Sequence, residues 1–359
     1  MGFFKILLLP ISVLYGLVVS FRNWLFNKKI LKSTSFPLPI ISVGNLTTGG
    51  TGKTPHVEYL IRLLNEKYKI ATLSRGYGRK TKGFLLGDKN SSSEHLGDEP
   101  MQYLQKFENI KVTVGEKRVL AVEELLKIEP GTEVILLDDA FQHRAIKPGL
   151  SILLTQYSRI FANNQLLPTG TLREGIKGMK RADIIVITKT PSILSPLERR
   201  RIISDIKPFE HQKVYFSCIK YGEFLPTWPV TKPLTISKDF YFERKYSILL
   251  VTGIANPTLL QTYLEERTKE VKLIRFPDHY QFKPGDLEKI EKTFNEIRNP
   301  NKIIITTEKD WMRFRNPELI ETVQRLKMFY IPIEVKFHDQ DGEKFNKQVL
   351  EFVEKNKLN

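Results

Sequence analysis

Residues 40–64 constrain this chain more than any other stretch. The apolar run Ile40-Ile41-Ser42-Val43 reads as a short strand, and a glycine-rich loop follows it. Val57, Leu60, Ile61 and Leu64 then recur at three- and four-residue spacing, which reads as a helix. Strand, loop and helix in that order open a βαβ unit, and such units build parallel sheets. Four further apolar runs follow: Ile70 to Leu73, Val134 to Leu137, Ser151 to Leu154 and Ile184 to Ile187. Each is β-rich and none alternates with polar residues. Strands buried on both faces of a parallel sheet read this way. Helical segments 118–127 and 196–206 lie between them.

The texture changes at 220–246. Tyr221 to Pro229 holds two prolines, and alternating aromatics follow, which predicts a linker or short ribbon. A second α/β pattern then begins at Ile248 to Val251. It continues through Val271 to Ile274, a helix from Pro284 to Arg298, and Ile303 to Ile305. In the tail, Phe345, Val349, Phe352 and Val353 stand at helical spacing. The expected division is an N-terminal helix over 1–30, a larger domain over 31–219, the linker over 220–246, and a smaller α/β domain over 247–359 that ends in the amphipathic helix.

The loop after the first strand carries the sharpest chemical signal. Thr47-Thr48-Gly49-Gly50-Thr51-Gly52-Lys53-Thr54 departs from the strict Walker A pattern only at Thr47, where glycine is usual. Gly49, Gly50 and Gly52 let backbone N–H groups curl around phosphates, together with Thr48 and Thr51. Lys53 is long enough for the β- and γ-phosphates, and the Thr54 hydroxyl suits Mg2+. The fold class predicted is therefore α/β: a P-loop NTPase-like, doubly wound, mostly parallel sheet with a second, smaller α/β domain. ATP and Mg2+ are the expected cofactors.

Acids stand where such a sheet needs them. Val134 to Leu137 runs into Asp138-Asp139, the Walker B arrangement at a strand's C-terminal end. A second pair, Asp98-Glu99, lies in a polar loop opening a helix. It could divide the roles of general base and metal ligand, or Asp98 could simply cap the helix. Basic loops follow other strands, at Ser74-Arg75-Gly76-Tyr77 and at Leu172-Arg173-Glu174. In the second domain His279 sits between Asp278 and Tyr280, and Thr307-Glu308-Lys309-Asp310 follows a strand.

Charge and the N-terminus narrow the partners. Lys and Arg number 56 against 40 Asp and Glu, a net charge of +16, which points to an anionic partner. A single cysteine, Cys218, excludes a disulfide framework and a cysteine-only zinc site. No zinc spacing, stacking motif or basic helix supports nucleic-acid binding. Sixteen uncharged residues separate Lys5 from Arg22, with Pro10 among them and no small-residue cleavage site after them. Phe21, Trp24 and Phe26 stand beside Arg22, Lys28 and Lys29, which predicts a helix lying on an anionic membrane surface. A buried helix of the fold is the alternative.

Taken together, these segments resemble the tetraacyldisaccharide 4′-kinase family, the lipid A 4′-kinases. The resemblance rests on Val43-Gly44-Asn45-Leu46-Thr47 leading into Gly49 to Pro55, on Ser74-Arg75-Gly76-Tyr77-Gly78-Arg79, and on His95-x-Gly97-Asp98-Glu99-Pro100. It continues through Asp138 to Arg144, Pro168-x-Gly170-x-Leu172-Arg173-Glu174, Asp278-His279-Tyr280-x-Phe282 and Thr307 to Asp310. It implies phosphate transfer from ATP to the 4′-hydroxyl of a tetraacylated disaccharide 1-phosphate, a phosphorylated glycolipid. The enzyme would be peripheral or monotopic, on the cytoplasmic face of a bacterial inner membrane. It implies that Asp98 is the base and His279 its support. Glu99, Asp138, Asp139 and Thr54 would lie at the metal, and Arg118 and Arg173 would join Lys53 in the active site. Asn45, Arg75, Tyr77, Gln142 and Glu174, within or beside the matched segments, are expected at the substrate. Thr171 stands where the family often has proline. The two domains are expected to form a cleft whose closure brings Asp98 and His279 together. No obligatory protein partner is inferred.

A P-loop phosphotransferase or nucleotide-driven switch acting on a soluble or protein partner is the alternative function. Thr188-Lys189-Thr190 lacks the aspartate of a guanine-specific motif.

Overall fold

The computed structural model describes residues 7–229 and 236–357. In chain order its strands are β1 (Ile40–Asn45), β2 (Ile70–Ser74), β3 (Leu85–Leu86), β4 (Ile110–Val114) and β5 (Val134–Asp138). Next come β6 (Leu150–Gln156), β7 (Ile184–Thr188), β8 (Lys213–Tyr221), β9 (Leu225–Pro226) and β10 (Ser247–Thr252). β11 (Glu270–Arg275), β12 (Lys302–Thr307), β13 (Phe329–Ile331) and β14 (Ile333–Phe337) complete the set. The chain divides into two compact units. The first comprises residues 1–96, 103–219 and 335–359; the second comprises 97–102 and 220–334.

The first unit is built on a sheet of order β14-β8-β7-β6-β1-β5-β2-β4-β3. β1 pairs in parallel with β5 and β6, and parallel pairing continues outward to β4 and β8. The short β3 is antiparallel to its neighbour β4, and β14 runs against β8, with His338 N donating to Phe216 O at 3.0 Å and Gly222 N to Pro332 O at 2.9 Å. The continuous apolar runs have the reason expected of them. Ile41 and Val43 pack with Leu136, Ile152 and the helix Lys53–Leu64 on one face. Ile40 packs with Ala71, Ile135, Leu137 and the helix Arg118–Ile128 on the other. Neighbouring residues thus face opposite layers, and both layers are apolar. β1 is central, so the loop at its end lies in the middle of the sheet's C-terminal edge, where open α/β sheets bind ligands.

The second unit has a sheet of order β11-β10-β12-β13-β9, parallel except where β9 pairs antiparallel with β13. Leu249, Val251 and Ile304 face one apolar layer, and Ile248, Leu250 and Ile303 the other.

Three boundary expectations are corrected. The C-terminal helix, Asp341–Asn356, belongs to the first unit, because Phe345, Val349 and Val353 bury themselves beside Val57, Leu60 and Tyr215. Residues 220–246 are not a linker: Phe224, Tyr241 and Phe242 are core residues of the second unit, although 230–235 lie outside the described residues. Residues 97–102, expected in the larger domain, cluster with the second unit.

The N-terminal helix is Leu9–Asn27, and residues 1–6 of the expected element lie outside the described residues. Its polarity is inverted relative to an ordinary surface helix. Ser12 and Gly16 are buried against the first unit, whereas Leu14, Leu17, Val18 and Phe21 are all more than 60% exposed. Ser12 Oγ donates to Leu166 O (3.0 Å), Tyr15 Oη to Arg173 O (2.7 Å) and Asn23 Nδ2 to Glu174 Oε2 (3.1 Å). Farther along, Arg144 donates to Asn27 Oδ1 (2.7 Å).

Candidate active site

In the first unit β1 ends at Asn45, and its Nδ2 donates to Thr51 Oγ1 at 2.8 Å, tying the strand end across the loop. From β7, Thr188 Oγ1 donates to Thr51 O at 2.8 Å. Gly49 and Gly52 have φ of 100° and 87°, which glycine adopts without cost. Gly44 is needed for a different reason: a Cβ there would lie 2.6 Å from Phe141 Cβ. The loop delivers the chain into the helix Lys53–Leu64, whose positive N-terminal end favours a phosphate.

Lys53 Nζ lies 3.6 Å from Asp139 Oδ1. Arg173 Nη1 donates to both Asp139 oxygens, at 2.9 and 3.1 Å. Burial pushes the Asp139 carboxyl up, but Lys53 and Arg173 outweigh it and hold the group below its ordinary range. Asp138, in register with Val43 of β1, accepts a hydrogen bond from Tyr103 Oη at 3.0 Å. Arg118 is buried, its Nη1 bound to Gly115 O, while its Nε and Nη2 have no partner among the described residues. Burial drives this guanidinium down to about 10, against the pull of Asp138 and Asp139. A buried cation with unused donors favours an anionic ligand strongly.

Of the residues expected at the substrate, Arg75 and Tyr77 are exposed just beyond β2. Gln142 Nε2 donates to Asn45 O (2.8 Å) and Glu174 Oε1 (3.0 Å). Glu174 is itself buried and also accepts from Arg181 Nη2 at 2.8 Å, so it acts as an anchor for Gln142 and the N-terminal helix. Sequence reasoning missed Tyr103, His143 and Lys189. Burial, with Arg118 and Arg75 adding to it, pushes the His143 imidazole down to about 4. Lys189 follows β7 in the left-handed region, φ 56°, and a Cβ on Gly50 would come within 3.8 Å of its Nζ. Its position just past a central strand was the available signal.

The second unit assembles another set of groups. His279 Nδ1 lies 3.2 Å from Asp98 Oδ2. Arg313 Nε donates to the same oxygen at 2.8 Å. Lys309 Nζ reaches Glu99 Oε1 at 2.8 Å and His279 Nε2 at 3.1 Å. Asp98 and His279 therefore meet inside one compact unit. The reason is that the first residues of the helix Asp98–Lys106 belong to the second unit. Asp98 is the first residue of that helix, and its Oδ2 is engaged by both His279 and Arg313. Burial pushes its carboxyl up, but those two partners outweigh it and hold it below its ordinary range. His279 has φ 58°, a conformation costing a non-glycine residue on the order of 1 kcal/mol and characteristic of functional positions.

Among the described residues no three His, Cys, Asp or Glu side chains converge as a metal cluster. Mg2+ does not require one: it takes one or two carboxylates and completes its shell with phosphate and water oxygens. Thr54 and Asp138, hard oxygen donors on adjoining elements, fit that demand.

The family described as tetraacyldisaccharide-1-P 4′-kinase (LpxK) matches residues 4–354. A tetraacyldisaccharide 4′-kinase of Phocaeicola vulgatus is 42% identical over 354 residues, covering 98% of this chain and 96% of its own. One from Flavobacterium psychrophilum is 43% identical over 363 residues, covering all of both chains. A crystal structure of LpxK from Aquifex aeolicus in complex with ATP matches with a TM-score of 0.72 at 29% identity, covering 98% of this chain and 99% of that one. The chain belongs to the tetraacyldisaccharide 4′-kinase family.

Proposed function

We infer that this chain is an ATP-dependent kinase that phosphorylates the 4′-hydroxyl of a tetraacyldisaccharide 1-phosphate in lipid A biosynthesis. The observation that carries the reading is the glycine-rich loop at the end of the central strand, with Lys53 held beside Asp139 and Arg173. The backbone of residues 48–54 cradles the phosphates of ATP, and Lys53 reaches the β- and γ-phosphates. Arg118 and Arg173 offset the charge that develops on the transferred group; phosphoryl transfer depends mostly on such positioning and charge. Thr54 and Asp138 would hold Mg2+, which when bound neutralises charge on the β- and γ-phosphates. Asp139 and Glu99, also expected near the ion, are paired with Lys53 and Arg173 and with Lys309 respectively. Asp98 accepts the proton of the attacking hydroxyl, and His279 orients it. Arg75, Tyr77 and Gln142 face the disaccharide, with Glu174 anchoring Gln142; Asn45, expected beside them, is fully buried and bonded to Thr51, so it shapes the phosphate loop instead.

The N-terminal helix supports a lipid acceptor over a soluble one. By length and composition it could cross a membrane. Its polar side, however, is bonded to the first unit from Ser12 to Asn27, which suits a helix lying in the interface, not one surrounded by lipid. We place the enzyme on the cytoplasmic face of the inner membrane.

The test is incubation with γ-labelled ATP and a detergent-dispersed tetraacyldisaccharide 1-phosphate, with RNA and protein as control acceptors. Label should move to the glycolipid alone. Lys53→Ala should lower kcat by roughly 10²-fold or more in a folded protein. Label on a control acceptor, or full turnover by the variant, would refute the reading.

A further inference from the structure

The segment Thr307 to Asp310 stands out in the sequence, yet the reading above gives it no part. It forms the end of β12 and the first turn of the helix Glu308–Phe314, with the Thr307 hydroxyl accepting from Asp310 N as the N-cap. Lys309 and Arg313 are four residues apart on this helix, so they project from one face a turn apart. Both reach the Asp98–His279 pair from that face.

Arg313 is fully buried. Its Nη1 donates to Asp310 Oδ1 (2.9 Å) and Gly253 O (3.0 Å), and its Nε to Asp98 Oδ2 (2.8 Å). Asp310 is held in turn by Gly253 N (3.0 Å) and Thr307 Oγ1 (2.7 Å). A Cβ on Gly253 would come within 3.1 Å of Asp310 Oδ1, so the network has no slack there. The guanidinium is thus a rigid fork with its direction set before it meets Asp98. Among the described residues, every hydrogen bond to the Asp98 carboxylate ends on Oδ2. Oδ1 is left as the acceptor.

Lys309 works on the other member. An ammonium has only donors, so at 3.1 Å from His279 Nε2 it must donate, and that nitrogen must be the bare one. The ring proton is then on Nδ1, which donates to Asp98 Oδ2. Glu99 holds Lys309 in place at 2.8 Å.

We propose that Lys309 and Arg313 are positioning residues for the acid–base pair: Arg313 fixes the Asp98 carboxylate by Oδ2, and Lys309 fixes the tautomer of His279 through Nε2. The catalytic purpose of this clamp rests on the reading of Asp98 as base. A ring free to choose its tautomer would spend part of its time with no proton facing Asp98, and the carboxylate would lose one of its two anchors.

The experiment uses the full-length protein in detergent, labelled with ¹⁵N-histidine, with the His279 signals assigned by their loss in His279→Gln. Long-range ¹H–¹⁵N correlation should report His279 protonated on Nδ1 in the wild type. Lys309→Met should move the ring toward the Nε2–H form. It should also lower kcat by roughly 10- to 100-fold with KM for ATP within about twofold, the range typical of supporting partners. Lys309→Arg keeps a donor and should restore the tautomer and most of kcat. Arg313→Lys should lower kcat and leave the tautomer as it is; a dichroism melt checks that it folds. An Nε2–H ring in the wild type, or Lys309→Met with unchanged tautomer and kcat, overturns the clamp. Full turnover by Asp98→Asn would instead overturn the base assignment, and with it the clamp's catalytic purpose.

Discussion

His56 shows how one side chain couples the phosphate loop to the core. Its Nδ1 lies 2.7 Å from Gly52 O and its Nε2 3.1 Å from Ser217 Oγ. A carbonyl only accepts, so Nδ1 carries the proton and Nε2 accepts from the serine hydroxyl. The neutral ring is fully satisfied in a buried site, and burial pushes its pKa from 6.5 down to about 4. The sign follows directly. Between pH 6.5 and 4 the unfolded chain binds a proton that the folded one refuses, so stability falls as pH drops through that window. At pH 5 the loss from this residue is about 2 kcal/mol relative to neutrality. The expected outcome is that His56→Gln shrinks the difference in urea stability between pH 7 and pH 5 by about that amount. An unchanged difference would mean that His56 is not the group refusing the proton. The same residue scale explains what the sequence hid. Glu174 sits in a motif full of ligand-like residues, yet it is buried and turned toward Arg181, Gln142 and Asn23. Nothing local distinguishes a carboxylate facing a substrate from one facing an arginine.

Among the elements, the N-terminal helix has a division of labour that can be tested directly. Its outward side chains, Leu14, Leu17 and Phe21, lie largely in solvent. Burying such a side chain in an apolar phase is worth about 1.5–3 kcal/mol. Replacing the three by serine should therefore weaken sedimentation with anionic vesicles by at least roughly tenfold, with the melting temperature unchanged. Ser12→Leu should do the reverse, because Ser12 Oγ bonds Leu166 O and Thr169 Oγ1 in a buried seam. It should lower the melting temperature and leave vesicle binding intact. Vesicle binding that survives the triple replacement would remove the interfacial role. The helix's existence was legible as an uncharged run flanked by aromatics. Which face met the protein was not, because three polar residues in an apolar stretch mark the buried side here only by their partners.

At the scale of the whole molecule, the chain leaves the first unit after Ile219, builds the second, and returns at Val335. The return supplies Val335, Phe337, Phe345, Val349 and Val353 to the core that backs the phosphate-loop helix. Losing a buried aliphatic or aromatic side chain typically costs 2–5 kcal/mol, and the total stability of a domain is about 5–15 kcal/mol. A fragment ending at residue 219 should therefore fail to fold or bind nucleotide. The full chain, by contrast, should melt cooperatively through the first unit. A cooperative melt with nucleotide affinity in the fragment would show the returning segment to be dispensable.

What the sequence determined by itself was whatever had a local cause. Strands buried on both faces wrote continuous apolar runs, and β1, β2, β5, β6 and β7 lie on them. A loop that must curl around phosphates needed glycine at Gly49 and Gly52, where φ is positive. The family motifs are short for the same reason. Tertiary structure alone decided which distant side chains share a charge. Asp98 meets His279 across 181 residues and Arg313 across 215. The terminal helix, amphipathic as expected, chose the first unit's core over the second's. Amphipathicity specifies that a face will be buried, and a carboxylate specifies that a partner will be found. Neither specifies which, because the partner is selected by a packing arrangement that exists only once the sheets have formed.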